Sequence, residues 1–166
     1  MTYQIVPIAE EHIPGFRAVV DSVAREQRYL AMIEAPPPDE TRKFVLGNIS
    51  TGAPQFVAIA DEIIVGWCDI VPKPRHTLRH SAVLGMGVMR AYRSRGIGRS
   101  LIESALRAAQ ANGLSRIELT VRTDNESAKK LYAAFGFVVE GVCKRYICIN
   151  GEYMDCYLMA LLYETA

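Results

Sequence analysis

The 166-residue chain has no excess of either charge, since 19 Lys and Arg stand against 18 Asp and Glu for a net charge of +1. Broad binding to nucleic acid or to an anionic membrane surface needs a basic patch or stripe, so neither is expected as a partner. No apolar run approaches the length of a membrane span. The N-terminus, MTYQIVPIAEEH, carries acidic residues where a secretory leader has a basic region and then an apolar run. The expected location is cytoplasmic, where the sequons at Asn48 and Asn125 meet no glycosylation. The four cysteines, Cys68, Cys143, Cys148 and Cys156, include no CxxC pair and no histidine partner at zinc-finger spacing. They read as plain buried thiols. His76 and His80 are four apart, but Pro72 and Pro74 make that stretch a loop, and no metal is expected.

What is present is an ordinary globular mix, half hydrophobic and 22% charged. A chain of this length reads as one domain, 1–166, able to bury about two thirds of its unfolded surface without a staple. YQIVPIA has the β-branched content of a strand. From Glu10 to Leu30, Phe16, Val19, Val20, Val23 and Ala24 recur at helical spacing. The APPP run at 35–38 breaks the chain, and Asp39 is a plausible N-cap for a second helix. PQFVAIADEIIVGWCDIVP reads as two strands around a tight turn at Asp61 and Glu62, and SAVLGMGVM as a buried strand. Ile97, Leu101, Ile102, Ala105, Ala108 and Ala109 form a helical stripe stopped by Asn112-Gly113, and RIELTVR alternates as a strand. Strand, helix, strand in that order predicts a right-handed parallel crossover. A shorter helix through Leu131 and Tyr132, ended by Gly136, precedes two strands around Asn150-Gly151. The fold class is mixed α/β, a sheet of about seven strands with four helices.

The informative segment is GMGVMRAYRSRGIGR, from Gly85 to Arg99. It sets a glycine-containing turn between a buried strand and a helix, so successive backbone N–H groups at the positive end of a helix dipole can receive a pyrophosphate. Arg93, Arg95 and Arg99 add local charge. A Walker A loop needs Gly-Lys-Ser/Thr, which is absent, and a dinucleotide fingerprint needs a third glycine where Arg90 stands. What remains is RxxGxG, written Arg93, Gly96 and Gly98.

This pattern behind an apolar strand resembles the acyl-CoA loop of the GNAT superfamily of N-acetyltransferases. RTDNESAKKLYAAFGF is similar to the family's second signature, an Asn followed by a helix with Leu-Tyr and closed by Gly-Phe. EGVCKRYICINGEYMDCYLMALL resembles the closing strands of the branch that includes ribosomal-protein and amino-acid acetyltransferases. The likeness runs from Ser81 to Leu162 in uninterrupted order. It implies acetyl-CoA as co-substrate, with no metal, held in a splay between two parallel strands. Met86, Gly87 and Val88 would face the pantetheine arm through backbone groups. Ser94, Arg95, Gly96, Ile97, Gly98 and Arg99, with Arg93 beside them, would cradle the pyrophosphate. Asn125 would bond the cofactor arm or cap its helix. Tyr132 would be the general acid that protonates the departing thiolate.

One departure bears on mechanism. Many relatives carry a glutamate, commonly assigned as the base, where this sequence has Val83. Asp69, Glu118, Asp155 and His80 are the substitutes. A lysine-like amine of pKa about 10.4 is only about 0.04% neutral at pH 7, whereas an α-amine of pKa about 7.7 to 8.0 is roughly 10 to 15% neutral. The missing glutamate therefore favours a low-pKa acceptor served by water. Three functions follow in order: acetylation of a small-molecule amine such as an amino acid, acetylation of a protein N-terminus, and non-catalytic acyl-CoA binding. Homodimerisation through the C-terminal strands is common in such families, and CYLMALL serves a dimer or an intramolecular sheet equally well.

Overall fold

Alternating apolar segments and amphipathic stripes give seven strands and four α-helices in the computed structural model, which describes residues 2–164. The strands are β1 (Tyr3–Pro7), β2 (Gln55–Ala60), β3 (Ile63–Pro72), β4 (Ser81–Val88), β5 (Arg116–Arg122), β6 (Val138–Ile149) and β7 (Glu152–Leu162). They form one sheet in the order β1-β2-β3-β4-β5-β7-β6. The helices are α1 (Ile13–Ala24), α2 (Pro38–Thr51), α3 (Ile97–Ala111) and α4 (Glu126–Ala134). The mixed α/β class read from the sequence is the observed one, and β4, α3 and β5 make the parallel crossover. One compact unit comprises the chain up to Val71 with Leu84–Asn112. The other comprises Pro72–Val83 and the chain from Gly113 onward.

In the first unit β1, β2 and β3 are antiparallel, and Asp61 and Glu62 take positive φ (49° and 63°), which matches the right-handed twist of the strands they join. α1 buries Phe16, Val19, Val20, Val23 and Ala24, as their spacing predicts. It ends at Ala24 rather than near Leu30, and Gln27 sits at φ 51°, outside any helix. α2 begins two residues earlier than expected. Pro37 is its N-cap, Pro38 supplies a preset first-turn φ, and Asp39 lies in the first turn, where its charge suits the dipole.

The core of this unit closes around Trp67, which meets Phe16 edge-on at 6.1 Å. Its ring lies over Gly87, where an added Cβ would fall 2.4 Å from the Trp67 Cη2. Gly87 is therefore a packing requirement as well as a strand residue. Gly87→Ala is expected to cost about 2 kcal/mol by overpacking, read as a lower urea midpoint at unchanged m-value.

In the second unit Ser81, Ala82 and Val83 pair in parallel with Arg116, Ile117 and Glu118. β5 then pairs antiparallel with β7 from Arg116↔Leu162 to Arg122↔Cys156. Ile117, Leu119 and Val121 are buried, in agreement with the alternation in RIELTVR. β6 is the edge strand and leaves Val138, Val139, Val142 and Tyr146 exposed. Two cysteines depart from expectation for that reason. Cys68 and Cys156 are buried, but Cys143 is half-buried and Cys148 exposed, both on β6, and all four are free thiols.

Candidate functional site: a pyrophosphate loop and a tyrosine helix

The end of β4 carries Met86, Gly87 and Val88, all half-buried. After a 3-10 turn at Arg90–Tyr92 and the extended Arg93, Ser94 takes φ 60° and Gly96 φ 83°, and α3 begins at Ile97 with Gly96 as N-cap. Left-handed residues two apart turn the intervening N–H groups toward a common side, the geometry of an anion nest. The helix that follows has no side-chain cap and no acidic residue in its first turn. Its opening N–H groups have no partner inside the helix, and its dipole presents positive potential there. Ser94, Arg95, Gly96 and Arg99 are exposed and Gly98 half-buried, whereas Ile97 is buried, so that residue offers a ligand only its backbone. A Cβ on Gly96 would stand 3.5 Å from the Tyr3 hydroxyl, which shares a 2.9 Å hydrogen bond with Ser100 Oγ.

Arg93 is committed inward. Its Nε donates to the Val88 carbonyl at 2.8 Å, its Nη1 donates to Glu26 Oε2 at 2.9 Å, and its Nη2 also bonds Glu26. Its guanidinium lies over the Tyr29 ring at 4.5 Å. It ties the loop to the end of β4, and it takes up one lone pair of the Val88 carbonyl. Arg95 lies over the Tyr92 ring, and Tyr92 donates to Asp61 at 3.1 Å.

In the second unit, Asn125 is the N-cap of α4, its Oδ1 accepting from the Ala128 N–H at 3.2 Å. Tyr132 is the buried residue of α4 and packs on Phe137 at 5.8 Å. Its carbonyl accepts from the N–H groups of Phe135 and Phe137, which closes the helix where Gly136 (φ 94°) turns the chain.

The four substitute bases have different surroundings. His80 is exposed in a turn, its carbonyl accepting from Ser115 and Arg116. Glu118 sits across from Val83 but lies between Lys73 and Arg116, whose bonds hold its carboxyl below the usual range against the effect of burial. Asp155 accepts from Lys144 Nζ and the Arg145 N–H, both at 2.8 Å, and is likewise held low. Asp69 is buried, and burial pushes its carboxyl up to about 7 while a hydrogen bond from Trp67 opposes the rise. Among the described residues no group of three or more His, Cys, Asp or Glu is placed to hold a metal, and no helix is long and apolar enough to cross a membrane.

These features have counterparts in known proteins. The sequence profile of the acetyltransferase (GNAT) family matches residues 17–137. The chain belongs to the GNAT acetyltransferase family. The L-amino acid N-acetyltransferase AaaT of Escherichia coli (strain K12) is 33% identical over 147 residues, which span 87% of this chain and 90% of that protein. The N-alpha-acetyltransferase RimI of Mycobacterium tuberculosis is 36% identical over 96 residues, 58% of each chain. The crystal structure of a GNAT-family acetyltransferase from Streptococcus pneumoniae superposes with a TM-score of 0.91 at 28% identity, covering 98% of this chain and all of that one. The chain is thus an enzyme whose family moves an acetyl group from acetyl-CoA to an amine.

For a GNAT protein, one feature lay beyond sequence reasoning and a second left only an indirect signal. Glu26 and Tyr29, which hold Arg93, are more than sixty residues away in sequence, and no spacing connects them. Trp67 against Gly87 and Asp69 against Gly85 did leave a signal, because two glycines two apart in a strand mark a large or polar neighbour on one face.

Proposed function

We propose that the chain acetylates the α-amine of a small molecule, an amino acid or a close analogue, from acetyl-CoA. The observation that carries this reading is likeness along nearly the whole length of an L-amino acid N-acetyltransferase. Val83 adds chemical support. Without the usual glutamate, an α-amine, whose ammonium is the stronger acid, needs less help than a lysine side chain, whose neutral form lies about 4.6 kcal/mol uphill at pH 7.

The donor's pyrophosphate is received by the N–H groups from Ser94 to Arg99, with Arg95 and Arg99 supplying charge. Met86, Gly87 and Val88 present backbone to the pantetheine arm, and Arg93 positions the loop through Val88 and Glu26. Asn125 orders the start of α4. The neutral amine attacks the thioester carbonyl, the C–N bond forms, and collapse of the tetrahedral intermediate breaks the C–S bond. Tyr132 gives its phenolic proton to the departing thiolate and recovers one from the nitrogen. Tyr132→Phe is expected to lower kcat about 30-fold with the acetyl-CoA Kd within twofold, as stopped-time thiol release and calorimetry would show.

A second reading, acetylation of protein N-termini, is favoured by the shorter match to the mycobacterial N-alpha-acetyltransferase. Initial rates on free amino acids, N-terminal peptides and Nα-blocked lysine separate the two. The proposal requires the highest kcat/KM on a free amino acid, and preference for peptides would replace it with the second reading.

A further inference from the structure

Asp69 is the one carboxylate of this chain that is buried among its described residues, at 8% exposure, and no cation accompanies it. Every element around it contributes neutral groups. On its own strand, Trp67 donates a hydrogen bond and the Cys68 thiol turns to the opposite face. On β2 its register partner is Gln55, a buried amide whose Oε1 accepts from Asn48 Nδ2 of α2 at 3.0 Å. On β4 it faces Gly85, where an added Cβ would lie 3.1 Å from Asp69 Oδ1. Burying a carboxylate without a counter-charge costs stability, and natural proteins keep such groups chiefly where they act. The bare backbone at Gly85 leaves the carboxylate facing the strand that carries Met86, Gly87 and Val88, the residues assigned to the donor's arm.

We propose that Asp69 is the proton acceptor of the transfer, taking a proton from the acceptor's ammonium directly or through one water. The N–H bond of the ammonium breaks, its electron pair stays on nitrogen, and Asp69 becomes a neutral carboxylic acid. The freed pair forms the C–N bond to the thioester carbonyl. After the C–S bond breaks, the Tyr132 proton goes to the thiolate, the nitrogen's second proton restores Tyr132, and Asp69 releases its proton to solvent. Overall one ammonium and one thioester give one amide, one thiol and one proton. The strength of the base fits the acceptor class. A carboxyl titrating at about 7 lies closer in strength to an α-amine than to a lysine, from which it takes a proton at an equilibrium disadvantage of more than about a thousandfold. This step rests on the amine-acetyltransferase reading above and replaces unassisted water as the agent.

The test is the pH dependence of kcat/KM for an amino-acid acceptor in wild type and Asp69→Asn, with the acetyl-CoA Kd measured alongside. Asn removes the proton acceptor at nearly constant volume and removes a buried charge, so the variant is expected to fold. The expected result is a loss of about a hundredfold at pH 7, shrinking steadily toward pH 9 as the amine loses its proton unaided, with the donor Kd unchanged. Gly85→Ala, which crowds Oδ1, should lower kcat with the same sparing of donor affinity. An Asp69→Asn enzyme within twofold of wild type at pH 7 overturns the proposal, as does an equal loss at pH 7 and pH 9, the mark of a structural part. A wild type inactive on amino acids removes the amino-acid reading and this step with it, whereas an active wild type with an unaffected variant removes this step alone.

Discussion

Asp69→Asn should be more stable than the wild type at pH 8, and its advantage should vanish by pH 4. The folded carboxyl titrates at about 7 because burial disfavours its charge, against an ordinary 3.8 in the unfolded chain. Between those values the unfolded chain has released its proton and the folded one has not. Stability from this group is therefore fully present below pH 3.8 and is lost as pH rises through 7. At 1.36 kcal/mol for each unit of pKa, the swing is on the order of 4 kcal/mol between pH 4 and pH 8. Asn does not titrate, so the wild-type-minus-variant difference from urea unfolding isolates this group from the other carboxylates. The ion-paired Glu118 and Asp155 act oppositely, since their folded values are depressed, but they cancel in the difference. A difference that stays flat from pH 4 to pH 8 would show that Asp69 titrates as an ordinary surface carboxylate.

Gly96→Glu should weaken acetyl-CoA binding by more than about a hundredfold. Two causes act together. The backbone at φ 83° resists any side chain with a Cβ, at about 1 kcal/mol, and the new carboxylate stands at an uncapped helix N-terminus where a pyrophosphate would sit. The wild type should gain several degrees of Tm in saturating acetyl-CoA, and the variant none. Because Gly96 is exposed, with Tyr3 as its nearest neighbour, the variant's own Tm should fall only modestly. A full ligand-induced shift in Gly96→Glu would place the pyrophosphate elsewhere.

Both residues show what the sequence could and could not say. The RxxGxG spacing identified the loop because backbone conformation there is set locally: glycine permits φ 83°, and the helix that follows is announced by its own apolar stripe. Asn125 was legible for the same reason, as a cap three residues before the N–H it receives. Arg93 was legible as a charge but not as a strut, since Glu26 lies in another part of the chain. Asp69 appeared in the sequence as one of four equal candidates. Only packing separates it from Glu118 and Asp155, through the absence of a lysine or arginine beside it and the absence of a side chain at Gly85. Helix ends were least legible. Nothing in EQRYL forbids α1 from continuing, and Pro38 fixed the start of α2 ahead of Asp39.

The central claim, that the loop from Ser94 to Arg99 receives the pyrophosphate of acetyl-CoA, is tested most directly by calorimetric titration of the wild type with acetyl-CoA and with acetyl-pantetheine, which carries the same thioester without the pyrophosphate. A micromolar Kd for the first and binding at least about a hundredfold weaker for the second is the predicted result. Equal affinities, or no heat with acetyl-CoA at millimolar concentration, would contradict it.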